Sequence, residues 1–106
     1  MTARDRTIAH QFKQLMRARG VPVSEVVVFG SRARGTAVQD SDLDVLVVVE
    51  QLDSETRETI SRCAWEAGFG PGVLVQSVVM TRDEVENSPQ RSSLFIQAVR
   101  EEGIRI

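Results

Sequence analysis

The chain carries one cysteine, one histidine and one lysine among 106 residues, and its aromatic content is only 5%. A lone Cys63 excludes an internal disulfide, which fits a reducing cytosol. Cys63 falls in a helical pattern beside Ile60 and Ala64, where a small buried hydrophobe is a better reading than a nucleophile. His10 sits in an N-terminal helical stretch with no partner motif, and reads as a surface or boundary residue. No apolar run approaches the ~18 residues a membrane span needs. The opening MTARDRT has no signal-peptide core, so a cytoplasmic location is expected. Net charge is -2, so no global basic field recruits nucleic acid, and neither aromatic content nor a basic stripe favours it. Lys13 is the only lysine. The arginine bias is better explained by genomic base composition than by phosphate contacts.

What is present is enough for one core. A length of 106 residues with 42% hydrophobic and 26% charged content predicts a single domain over 1–106. Residues 3–19 space Ile8, Phe12, Leu15 and Met16 as an amphipathic helix ending near Gly20, with Pro22 barring continuation. Residues 24–29 and 43–50 are β-branched apolar runs, and the second is so continuous that both sheet faces should be covered. Asp53 and Ser54 offer an N-cap for a helix over 55–67, with Ile60, Cys63, Ala64 and Ala67 inward and Gly68 at its end. Residues 73–80 form a third strand. Thr81 to Glu84 has the capping-box form. Ser88-Pro89 opens a last helix, with Leu94, Phe95, Ala98 and Val99 inward, closing at Gly103. The tail IRI is free to dock or pair at an edge. The order is helix, strand, strand, helix, strand, helix. It predicts an α/β (α+β) domain, a small mixed β-sheet with helices packed against it.

Between the first two strands lies the informative stretch, "FGSRARGTAVQDSDLDVL". Gly30 and Gly35 have the separation of a P-loop, but Thr36 stands where its lysine must be, so that reading fails. The dinucleotide fingerprint G-x-G-x-x-G fails as well. Asp42 and Asp44 are two apart at the head of a strand, so both project to one face while Leu43 enters the core. Carboxylates that close repel, and each raises the other's pKa unless a cation sits between them. Magnesium fits such a pair, completing its shell with water and phosphate oxygens. The bland alternative is a solvated strand end whose acids pair with Arg32 or Arg34. For a glycine-serine turn followed at once by S-D-x-D, the metal site is the stronger reading.

These residues resemble the minimal nucleotidyltransferases of the DNA polymerase β superfamily, whose signature is glycine-serine, a glycine, then S-D-x-D opening a strand. Here it is Gly30-Ser31-Arg32-Ala33-Arg34-Gly35 and Ser41-Asp42-Leu43-Asp44. The resemblance implies a polymerase β-like fold over most of the chain. It implies that Gly30 and Ser31 contact nucleotide phosphates, with Arg32 and Ser41 in the nucleotide site. Ser41 is better placed to support the turn than to react. It also implies that Asp42 and Asp44 ligate one or two Mg²⁺ ions as the catalytic pair, with ATP as the foremost nucleotide. An implied protein partner is a HEPN-domain toxin, for which the nucleotidyltransferase is the antitoxin.

One position departs from the family. A third carboxylate belongs on the strand after the intervening helix, and Gln76 stands at the matching place. An amide cannot take a proton from an attacking hydroxyl and is a poor magnesium ligand. Glu50 shares strand parity with Asp44, but six residues place it roughly 20 Å away. Asp40 is near in sequence, on the approach loop. Two functions follow: transfer of a nucleoside monophosphate to a protein or small-molecule hydroxyl, or a degenerate module that acts by binding its partner.

Overall fold

The apolar run that opens at Leu43 becomes the axis of the molecule. A computed structural model describes residues 1–36, 41–87 and 89–106, and of 90–92 the backbone alone. Along the chain come α1 (Ala3–Ala18), β1 (Val23–Phe29), α2 (Gly30–Arg34), β2 (Leu43–Val49) and α3 (Ser54–Phe69). There follow β3 (Val75–Thr81), α4 (Arg82–Asn87), α5 (Gln90–Glu102) and β4 (Ile104–Arg105). The sheet order is β3-β2-β1-β4. β2 runs antiparallel to β1 and parallel to β3, so the sheet is mixed. The tail does pair at an edge: Val27 lies opposite Arg105 on β4.

Alternation along β2 sorts the core into two layers. Leu43, Val45, Val47 and Val49 face α1 and α3, meeting Ile8, Phe12, Met16, Ile60 and Cys63. Leu46 and Val48 face the other way, with Val27, Val99 of α5 and the partly buried Val85 of α4. A strand covered on both faces has no polar side to alternate, which is why its sequence reads as unbroken apolar residues. Asp44 shares the parity of Leu46 and Val48. It therefore emerges on the α4/α5 face of the sheet, at the strand's open end.

Several expectations need correction. The Gly30–Arg34 stretch is not an open turn but a short helix, closed by Gly35 in the left-handed region at φ 76°. α3 continues past Gly68, which is buried inside the helix, and closes at Gly70. A β-carbon on Gly68 would overlap the Val73 carbonyl, so the glycine is there for space rather than as a cap. Among the described side chains of α5 the buried positions are Ile96 and Val99. Leu94 and Ala98 face solvent, and Phe95 is 37% exposed with its ring edge-on to Phe29 at 5.7 Å. The periodicity was shifted because α5 packs with a narrower stripe than the four apolar residues imply. Pro89 is the N-cap of α5 rather than its first residue. Ser88 and Asp40 lie outside the described residues.

Candidate nucleotide site

The site is assembled from the end of β1, the start of α2 and the start of β2. β1 and β2 are antiparallel, and their register sets Phe29 opposite Asp44. Gly30 follows directly, with φ +75°, a conformation that costs L-residues energy and glycine little. The turn has a second need for glycine. An added β-carbon would fall inside the contact distance of Asp44 Oδ2, so the absent side chain is what lets the carboxylate lie against the backbone.

Asp44 is partly buried, and its carboxyl is held above the usual carboxylate range. Burial is the largest cause, the negative charge of Asp42 adds to it, and Arg34 opposes both. Among the described residues no arginine forms an ion pair with Asp42 or Asp44. Arg34 instead lies 3.5 Å from Glu102, on α5. Asp42 lies near enough to disfavour the Asp44 charge, and among the described residues neither acid is held in an ion pair. That donor set fits a divalent ion, whose charge would reverse the repulsion. Among the described residues no cluster of three or more His, Cys, Asp or Glu is placed to hold a metal. Among the described residues the pair stands without a third acid.

Gln76 occupies the place where that third acid was sought. In the parallel β2–β3 register it lies opposite Asp44, and it is exposed. The position at which the sequence departs from the family is thus the β3 neighbour of Asp44, and it carries an amide. Glu50 is far from this end and pairs with Arg82 at 2.9 Å.

Arg32, which the resemblance places in the nucleotide site, spends its guanidinium on partners within the protein. Its Nη1 donates to Asp5 Oδ1 at 2.7 Å, and both side chains are largely buried, 12% and 4% exposed. Nε and Nη2 donate to the Ser41 carbonyl at 2.9 and 2.6 Å. Asp5 is itself half of a capping box on α1, receiving the Thr2 N–H while its own N–H bonds Thr2 Oγ1. One guanidinium so ties α1 and α2 to the residue before Asp42. Asp5 carried no motif in the sequence. The only signal was its capping-box spacing from Thr2, which speaks of helix ends rather than of the site.

The fold and this pair of elements are those of a nucleotidyltransferase: a mixed sheet whose second strand opens on S-D-x-D beside a short helix that begins with glycine-serine. The family model of the nucleotidyltransferase domain matches residues 9–104, and the chain belongs to that family. No curated protein matches it in sequence. Among solved structures, the chain is similar to a toxin–antitoxin complex with AMP-PNP, at TM-score 0.64 and 20% identity over 92% of this chain and 70% of that one. It is similar to a mutant MntA-HpeT toxin-antitoxin at TM-score 0.64 and 18% identity, over 92% and 70% of the two chains. A third is the Shewanella oneidensis MNT antitoxin complex with a tri-AMPylated HEPN toxin, at TM-score 0.59 and 17% identity, over 95% and 70%. At such identities the likeness is one of fold. Among the described residues no helix is long and apolar enough to cross a membrane.

Proposed function

We propose that the chain binds a magnesium nucleoside triphosphate, ATP foremost, and transfers its nucleoside monophosphate to a hydroxyl of a protein partner. The partner is a HEPN-type toxin, and the chain is its antitoxin. The observation that carries this reading is the unpaired carboxylate couple, with Asp44 lodged against Gly30 and its pKa raised by burial and by Asp42. Gly30 and Ser31 at the start of α2 would contact the phosphates, while Asp42 and Asp44 would hold the metal. When bound, the ion supplies charge that neutralises the triphosphate and orients the α-phosphate. Arg32 acts through Ser41, keeping the Asp42 segment in place. Arg34, the cation that lowers the Asp44 pKa, is the arginine nearest to serving the triphosphate.

In the transfer, the acceptor oxygen forms a bond to the α-phosphorus as the bond to the bridging oxygen breaks. Pyrophosphate leaves, and the hydroxyl proton passes to water because Gln76 offers no base. ATP labelled at the α-phosphate, incubated with Mg²⁺ and the protein encoded beside this chain, tests the reading. Label on that protein, lost in Asp44→Asn, is expected. A specific observation favours a second reading: Gln76, not an acid, lies in register with Asp44. A degenerate module that neutralises its partner by contact would form a tight complex, give no label, and be indifferent to Asp44→Asn.

A further inference from the structure

A groove of about 480 Å³ runs between α3 and β3, and its wall includes Asp42. The lining also includes Trp65, Leu74 and Ala64, with the neutral polar groups of Gln76 and Ser77. Leu74 is fastened to the aspartate strand, since its carbonyl accepts the Leu43 N–H at 2.9 Å. Trp65 and Leu74 are each 61% exposed. Phe69 is 69% exposed and stacks on Trp65, with ring centroids 4.7 Å apart. A strip of large apolar side chains therefore starts at a carboxylate and continues one turn along α3. On a lone small domain such a strip marks a surface that something else covers. β3 is the outer strand of the sheet, so no further described strand closes this side.

We propose that this groove is the acceptor site, taking an apolar segment of a protein and setting that segment's hydroxyl beside Asp42. The inference rests on the nucleotidyl-transfer reading above. Asp42 belongs to both the groove and the metal pair, so an occupant lies next to the transferring phosphate. The walls decide its chemistry. Among the described residues no arginine or lysine lines the groove, which leaves them nothing to hold a nucleic-acid backbone or a sugar phosphate. A small polyol would leave Trp65 and Leu74 in water. A segment with aliphatic side chains on either side of the hydroxyl covers both, and the Gln76 amide, both donor and acceptor, can hold a neutral hydroxyl.

Trp65 is the only tryptophan of the chain, so its emission reports occupancy directly. The probe is a blocked peptide in which leucines flank one tyrosine or one serine, with phenylalanine and alanine counterparts. All of them are expected to shift the Trp65 emission saturably. Only the hydroxyl peptides should gain label from ATP labelled at the α-phosphate, and only with Mg²⁺. Leu74→Gln should raise the peptide KM about tenfold, in keeping with the loss of one anchor residue. Calorimetric Mg·ATP affinity should stay as it was. Trp65→Ala is a second variant with the same expectation in the labelling assay. An emission that no peptide moves, a peptide KM untouched by both variants, or glycerol labelled as well as the peptides would each overturn the assignment. If wild-type protein binds no Mg·ATP, the nucleotide reading fails separately. The emission titration then decides the groove alone: a saturable shift weakened by Leu74→Gln upholds it, and no shift sinks it.

Discussion

Gly30 and Asp44 share one small volume: the carboxylate of the second fills the space that a β-carbon on the first would take. The glycine adopts φ +75°, and the aspartate faces Phe29 across the antiparallel ladder. The two halves of the signature, some dozen residues apart in sequence, are thus one steric unit. Gly30→Ala should cost about 1–3 kcal/mol from backbone strain alone. It should also push Asp44 aside and weaken Mg·ATP binding beyond what the stability loss explains. Urea unfolding and calorimetry on the same preparation separate the two effects.

Asp44 holds its proton more tightly in the folded chain than in the unfolded one, because burial and Asp42 both disfavour its charge. The sign follows from linkage. Between the ordinary value of 3.8 and the raised one, the folded state binds more protons, so stability falls as pH climbs. The contribution is fully present below that window and gone above it. Asp44→Asn should therefore raise the Tm of the metal-free protein at neutral pH and flatten this part of the pH profile. Mg²⁺ affinity of the wild type should rise with pH across the same window. A D44N protein that melts lower at neutral pH would contradict the repulsion.

The Asp5–Arg32 pair is buried, so removing one partner leaves an uncompensated charge. Asp5→Asn should destabilise the chain by about 3–5 kcal/mol. Arg32→Lys keeps a charge for Asp5 but cannot hold the Ser41 carbonyl with two nitrogens. It should lose less stability and yet weaken Mg·ATP binding severalfold. Equal affinity in wild type and Arg32→Lys would mean that the Asp42 segment holds its place without the clasp.

Gln76→Asp supplies a carboxylate in register with Asp44 on the neighbouring strand. Transfer to the partner should quicken at least roughly tenfold, as expected for a general base placed at an acceptor. A pH–rate profile should gain a limb that wild type lacks. An unchanged or slower rate would show that another group handles the proton.

How much of this was legible beforehand differs by element. α1 was legible through the helical spacing of its buried side chains, and β1 and β2 through continuous β-branched apolar runs, while the tail was left free to dock or to pair at an edge. The site motif was readable for a local reason: both halves flank strand ends, so their geometry is set within a few residues. α5 misled, because four apolar side chains at helical spacing are compatible with more than one buried stripe. Which stripe wins depends on what β1 presents, namely Val27 and Phe29. The short helix α2 was hidden as well, since five residues carry too little periodicity to betray a turn of helix.

From sequence alone came the strand-turn-strand grammar, the paired acids and the amide in place of a third, because these depend on spacing along one backbone. Only the folded chain decided that Arg32 serves Asp5 and Ser41, that Gln76 faces Asp44, and that Trp65 and Leu74 meet Asp42 in one groove. Most of those partners lie tens of residues apart, and nothing local encodes their meeting. Their meeting is settled by sheet register and helix packing, which the whole core fixes at once.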